Sequence, residues 1–315
     1  MTSTSRDRRP IVVVGEALVD VMVPPQGDPS SAVGGSPLNV AVGLARLDVA
    51  ALLITRVGDD DHGRWVAEHV RESGAELSET SVVTGTRTST ATAHLDEDRT
   101  ARYEFDLVWD LEHHTLPEAR ALHVGSLGAS LLPGRHAVED LVRQAEESEL
   151  FVSYDPNIRS AFVTDPGATW RDVVELAARS RLVKVSDEDL ATLRPGDEVA
   201  DIAAELLEAG ATELVVVTQG GEGSIAYAQG FEVRENAPRI TVADTVGAGD
   251  SFMAGLLAVL DDWDVPVEGP GALAALDEDR VALLLRGAMA AAAVTCARVG
   301  ANPPTRRELP PTWPL

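Results

Sequence analysis

The sequence predicts an α/β fold: a mostly parallel sheet covered by helices on both faces. Three observations carry this. Short, continuous apolar runs recur along the chain and alternate with longer segments of helical periodicity. No internal repeat, low-complexity tract or linker divides the 315 residues, so a single domain over 1–315 is expected. A glycine-rich stretch, Asp244-Thr245-Val246-Gly247-Ala248-Gly249-Asp250-Ser251, opens an apolar helical stripe that begins at Phe252.

In chain order, Ile11–Val14 is a buried parallel strand, four β-branched residues without a polar break. Gly15-Glu16-Ala17-Leu18-Val19-Asp20 carries the chain off its carboxyl end. Residues 24–31 are a loop rich in Pro, Gly and Ser. From Pro37, which suits a first helical turn, Leu38, Val40, Val42, Leu44, Ala45 and Leu47 keep helical spacing. Small Ala41, Gly43 and Ala45 let that helix lie close on the sheet. A strand over 51–57 and a helix over 65–72, stopped by Gly74, follow.

The stretch 86–105 breaks the rhythm. Thr88, Thr90, Thr92 and His94 alternate with Ser89, Ala91, Ala93 and Leu95. Asp96-Glu97-Asp98-Arg99 makes a polar turn, and Arg102-Tyr103-Glu104-Phe105 alternates back. This is an antiparallel hairpin without a helix, either an edge of the main sheet or a lid. From Ala121 the βα rhythm resumes, with strands over 121–124, 150–154, 182–185 and 214–218. Helices are expected over 134–147, 169–179, 187–193 and 199–209. Ile240 and Val242 read as the end of a further strand, and 276–296 as the last helix. Ligands of such sheets bind at the carboxyl ends of the strands, so the site is expected in those loops.

Composition narrows the function. The formal net charge is −25, with 51 acidic residues against 26 basic ones. That opposes binding to nucleic acid or to an anionic membrane, and requires any anionic substrate to be met by local positive potential. The single cysteine, Cys296, excludes an intrachain disulfide and suits a reducing cytoplasm. The start of the chain reads as a strand rather than a signal peptide, and the Ala-rich 288–294 is too short to span a bilayer.

Glycines at 247 and 249 leave backbone N–H groups bare at a helix N-terminus, where the helix dipole also favours an anion such as phosphate. Asp250, in that first turn, is either a helix cap or a base placed to accept a proton from an attacking hydroxyl. Thr218-Gln219-Gly220-Gly221-Glu222-Gly223 is a second glycine turn, able to approach phosphate or simply to close a hairpin. No G-x-x-x-x-G-K-[ST] occurs, and no G-x-G-x-x-G follows the first strand. His113-His114 is an exposed polar turn rather than a metal pair, and Cys296 a buried, inert thiol.

Asp244 to Asp250 resembles the second signature of the ribokinase-like (PfkB-type) carbohydrate kinases. Gly34-Gly35-Ser36-Pro37-Leu38-Asn39-Val40-Ala41, with Gly58 downstream, resembles the first. The resemblance implies a ribokinase-like three-layer αβα sandwich, with a mostly parallel central sheet and a small β lid built from about 18–34 and 86–107. It implies ATP-dependent phosphorylation of a primary hydroxyl of a small sugar. Asp250 is then the base, and the amides of Gly247, Ala248 and Gly249 stabilise the transferring phosphoryl group. Asp20, Gly34, Gly35 and Asn39 hold sugar hydroxyls, and lid residues such as Tyr103 shape the choice of sugar.

Asp155-Pro156-Asn157-Ile158-Arg159 resembles the matching run of fructokinases and of 2-keto-3-deoxygluconate kinases. Arg159 reaches a substrate oxygen or the transferred phosphoryl group, or pairs with Asp155. The resemblance places Lys184, Ser186, Thr218, Gly220, Gly223 and Met289 around ATP. Ser186 stands where the family has Asn, and Asp189, a candidate for ordering Mg2+, stands where it has Glu; a helix N-cap at Ser186 is the alternative. Asp244 with the Gly300-Ala301 loop matches a K+ site. Fructokinase is the nearest resemblance, followed by 2-keto-3-deoxygluconate kinase and ribokinase; a non-catalytic sugar- or nucleotide-binding regulator is the rival. The expected partners are a small sugar, ATP with Mg2+, K+, and a second copy met through the lid.

Overall fold

The computed structural model describes residues 9–96 and 101–313, with the side chains of Leu95, Ala101 and Tyr103 left aside. The elements run β1 (Ile11–Val14), β2 (Leu18–Val23), β3 (Ser30–Gly34), α1 (Ser36–Arg46), β4 (Ala51–Ile54), β5 (Val57–Gly58), α2 (Asp61–Glu72), β6 (Glu76–Leu77) and β7 (Val82–Val83). Next come β8 (Ser89–Leu95), β9 (Ala101–Asp106), β10 (Ala121–Gly125), α3 (Arg135–Glu147), β11 (Phe151–Asp155), α4 (Pro166–Ala177), β12 (Leu182–Ser186), α5 (Asp187–Leu193) and α6 (Val199–Glu208). The chain closes with β13 (Leu214–Thr218), β14 (Ser224–Ala228), β15 (Phe231–Glu235), α7 (Ala248–Asp262) and α8 (Glu278–Cys296).

The main sheet has the order β15-β14-β13-β12-β11-β10-β1-β4-β6. It is parallel from β13 to β6, with β14 and β15 added antiparallel at one edge. Strand alternation sorts the core into two halves. Ile11 and Val13 of β1 join the cluster beneath α1, α2, α7 and α8. Val12 and Val14 join the cluster beneath α3, α4, α5 and α6. All four are fully buried, which is why the run is apolar throughout. The layers are helix, sheet, helix.

A second sheet, β3-β2-β8-β9, stands off the carboxyl end of β1. Its β2 and β8 run parallel, and β3 and β9 flank them antiparallel. The hairpin thus joins this sheet and not the main one. Glu97, Asp98 and Arg99 of its expected turn lie outside the described residues.

Two expectations change, and one alternative is decided. Residues 240 and 242 form no strand; both side chains are exposed, and the run is held instead by Ala243 and Asp244 N–H groups donating to Cys296 O at 2.8 and 3.2 Å. The glycine turn after β13 closes an antiparallel hairpin into β14, and Gly230 turns β14 into β15. The expected strand 51–57 breaks after Ile54, because β5 leaves to pair with β7.

Candidate active site

The N-terminal turns of α1 and α7 meet above the carboxyl ends of β1 and β11. Gly35 caps α1 at φ 110°, and a side chain there would press into Glu16 O, 2.5 Å from its Cβ. Only glycine permits that turn at low cost. The turn delivers Ser36 and Asn39 to Asp250, in the first turn of α7. Ser36 Oγ donates to Asp250 Oδ1 at 2.6 Å, and Asn39 Nδ2 donates to Oδ2 at 2.8 Å. Asn157, after β11, donates from Nδ2 to Ser36 Oγ at 2.7 Å and to Asp250 Oδ1 at 3.3 Å.

Asp250 is 6 % exposed, and its side-chain partners come from α1 and the β11 loop, not from its own helix. It is not the cap of α7. That position belongs to Gly247 at φ 74°, where an added Cβ would lie 2.7 Å from Ala301 Cβ. Ala248 N–H donates to Thr245 O at 3.2 Å. Among the described residues no backbone carbonyl accepts from the amides of Gly247, Gly249 or Asp250, as is usual for the first turn of a helix. Of the three amides expected as an anion hole, Ala248 is the one already engaged.

Asp244 ties the α7 loop to the loop after α8. Its Oδ1 accepts from Val246 N at 3.1 Å and its Oδ2 from Gly300 N at 2.8 Å. The Gly300 N–H foremost holds the Asp244 carboxyl below its usual range. Cys296, whose carbonyl anchors the same run, is half-buried rather than buried, and partial burial raises its thiol pKa.

Along the strand ends, Asp155 pairs with Lys184 Nζ at 2.9 Å, not with Arg159. Arg159 is exposed, and its guanidinium makes no hydrogen bond or ion pair among the described residues, while its carbonyl accepts Phe162 N–H at 2.9 Å. Ser186 N-caps α5 in a reciprocal capping box: Asp189 N donates to Ser186 Oγ, and Ser186 N donates to Asp189 Oδ2, each at 3.0 Å. Asp189 Oδ1 accepts Ile158 N at 2.7 Å. Both oxygens of the expected metal ligand are therefore engaged by backbone amides, and the residue pins the Asn157–Arg159 loop to α5.

Thr218 sits opposite Ser186 in register, so these two and the Gly220–Gly223 turn share one rim. Gly220 stands at φ 50° with open space around it, while Gly223 at φ 115° is packed against Glu235 O. Met289 is buried within the α7–α8 core, with 6 % of its surface exposed.

Asp20 projects from β2 over Gly34, where a Cβ would lie 2.1 Å from Asp20 Oδ2. Desolvation raises the Asp20 carboxyl above its usual range, and the Arg159 charge opposes it. Tyr103 is opposite Ala93 in β9; its side chain lies outside the described residues. Phe105 of β9 meets Phe162 edge-on, with ring centroids 5.0 Å apart, so the second sheet touches the segment after Arg159.

Two residues were missed from sequence. Ser36 lies between the glycine pair and Pro37, a hydroxyl in the first turn of the helix that carries Asn39, and that position was the available signal. Glu16 is 6 % exposed and accepts Gly128 N–H at 2.7 Å. Burial pushes its carboxyl up to about 7, against the pull of that N–H and of Arg159. Among the described residues no group of three or more His, Cys, Asp or Glu forms a metal cage, and no helix is long and apolar enough to cross a membrane.

Residues 8–307 match the pfkB family of carbohydrate kinases. A fructokinase from Klebsiella pneumoniae is 34% identical over 293 residues, covering 90% of this chain and 93% of its own. A double-mutant fructokinase from Vibrio cholerae O395, solved in fructose-, ADP- and potassium-bound form, has a TM-score of 0.79 at 25% identity and covers 94% of this chain and 95% of its own. An ATP-bound fructokinase from Xylella fastidiosa shares the fold, with a TM-score of 0.81 at 23% identity, covering 94% of each chain.

Proposed function

The chain belongs to the pfkB family of carbohydrate kinases, and we propose that it transfers the terminal phosphoryl group of ATP to a primary hydroxyl of D-fructose. The observation that carries this reading is the convergence of Ser36, Asn39 and Asn157 on Asp250, beside the unpaired amides that open α7. Phosphoryl transfer asks the protein for positioning, charge neutralisation and one base. Asp250 takes the proton of the attacking hydroxyl. The amides of Gly247 and Gly249 face the charge that spreads over the transferring group. Asn39, Asn157, Asp20 and the Gly34-Gly35 backbone orient the remaining hydroxyls, and the second sheet closes over them as a lid.

The rim of Ser186, Thr218 and Gly220–Gly223 suits the nucleotide phosphates and ribose. Mg2+ brought in with ATP would supply positive charge against the phosphates; with both Asp189 oxygens engaged by backbone amides, the residues here would leave it to be held mainly by phosphate and water. A hard monovalent cation such as K+ would rest on backbone carbonyls of the loops that Asp244 ties together, since both Asp244 carboxylate oxygens accept backbone amides. An association of two copies through the lid and a cytoplasmic setting complete the proposal.

Fructose is favoured because Arg159 already has two carboxyl groups, Asp20 and Glu16, within its electrostatic reach. A neutral sugar leaves that balance intact, whereas an acidic sugar brings a third. The second reading, a 2-keto-3-deoxygluconate kinase, is favoured by the unpaired guanidinium of Arg159, which matches a carboxylate in a two-point fork. A coupled assay of ADP release across fructose, 2-keto-3-deoxygluconate, ribose and adenosine tests the choice. Fructose is expected to give the highest kcat/KM. A preference for the keto acid makes Arg159 its clamp, and no ADP release with any sugar makes the chain a binding protein.

A further inference from the structure

Of the 26 Lys and Arg residues in this sequence, one alone is a lysine, and it is Lys184. The single lysine is not on the surface, where lysines ordinarily stand. It is 3 % exposed, in the middle of β12, on the sheet face that carries α7. Its Nζ lies 3.2 Å from the point where a Cβ on Gly249 would project, so the ammonium is lodged under the loop that opens α7. Asp155 Oδ2 holds it from one side at 2.9 Å. Burial pulls the Lys184 pKa down, but Asp155, Asp189 and Asp250 more than reverse this, so the side chain keeps its proton. His123 lies in the same buried layer, bonded to Ser153 at 3.0 Å; burial first, and Lys184 second, push it down to about 3, so it adds no second positive charge.

A buried ion pair is weak evidence of a stabilising role, because desolvating two charges offsets their attraction. Nor is the pair closed on itself, since Asp155 Oδ1 has no hydrogen-bond partner among the described residues. The surroundings explain the lysine better. Three carboxylates and a phosphoryl group must share this end of the sheet in a chain of net charge −25. A compact ammonium on a thin stem suits so close an approach to Gly249 better than a planar guanidinium fork.

We propose that Lys184 is a fixed internal cation beneath the Gly247–Gly249 loop, where it offsets the negative charge that the transferring phosphoryl group brings to the α7 N-terminus. Lys184 is a positioning residue: it gives up no proton, and the hydroxyl proton goes to Asp250 as the phosphoryl group passes from ADP oxygen to sugar oxygen. The inference rests on the kinase reading above.

The test compares Lys184→Met, Asp155→Asn and the double variant Lys184→Met/Asp155→Asn, which removes both charges of the pair at once. The double variant is expected to melt near the wild-type temperature and to keep its KM for sugar, while kcat falls about 10²-fold or more, the range for losing one donor to a transition-state anion. A purely structural pair predicts that the double variant recovers kcat, and a kcat within threefold of wild type overturns the inference. If the variants do not fold, the wild type decides. Protein grown with 13C-labelled lysine gives one side-chain signal. That signal is expected to shift on addition of ADP, Mg2+, aluminium fluoride and fructose together, and not with fructose alone. A signal unmoved by the full mixture overturns the inference as well. Wild-type protein that phosphorylates no sugar defeats the kinase reading, and the role of Lys184 with it.

Discussion

Replacing Glu16 by Gln is expected to stabilise the protein at pH 8 and to do far less at pH 5. Glu16 lies in the connection between β1 and β2, 6 % exposed, with its Oε2 on Gly128 N–H. Burial holds its carboxyl at about 7, against 4.5 for the ordinary group. Between those values the folded protein keeps a proton that the unfolded chain has released. Stability from this group is therefore fully present below pH 4.5 and is lost as pH rises to 7, where the buried carboxyl must ionise. At about 1.4 kcal/mol per pH unit, the gap amounts to roughly 3 kcal/mol at pH 8. Gln keeps an oxygen for Gly128 N–H and never ionises. Urea unfolding of both proteins at pH 5 and pH 8 reads the difference directly. The variant should gain about 2–3 kcal/mol on wild type between the two pH values. A difference independent of pH, or a loss at pH 8, would refute the buried, proton-holding carboxyl.

The Asp189→Ala change should cost about 2–4 kcal/mol of stability, since it removes a capping box and a charged acceptor of Ile158 N–H. It should also raise the sugar KM by loosening the Asn157–Arg159 loop. An altered Mg2+ requirement with unchanged urea unfolding would instead make the carboxylate a metal ligand. Potassium should raise turnover above that in an equal concentration of a bulky organic cation, through the loops that Asp244 joins. Equal rates in the two salts would remove the cation from the mechanism.

The layers of the fold were readable because β1, β10, β11, β12 and β13 are short, mainly apolar and almost wholly buried, and their helices carry apolar stripes. The hairpin after residue 86 announced itself by alternation. The antiparallel edge was not read, because β15 alternates Phe231 and Val233 with charged residues over only five positions and its turn is marked by Gly230 alone. Ile240 and Val242 misled for the opposite reason: they are β-branched, but no strand pairs with them. Within the site, Asp250, Asn39 and Asn157 were legible from motif position, and the structure brings them together. Which charge pairs with which was not. The pairing of Asp155 with Lys184 rather than Arg159 depends on β11 and β12 being neighbours, and the engagement of Asp189 depends on the loop that crosses above α5.

The most direct test of the central claim is the Asp250→Asn variant, measured for binding and for turnover in the same preparation. Calorimetric titration should show fructose and an ATP analogue still binding, because Asn keeps the size of the side chain and one acceptor for Ser36 or Asn39. The kcat for sugar phosphorylation should fall by about 10²–10⁴, the range expected when a general base is removed. A variant that binds both ligands and turns over at close to the wild-type rate would contradict the account.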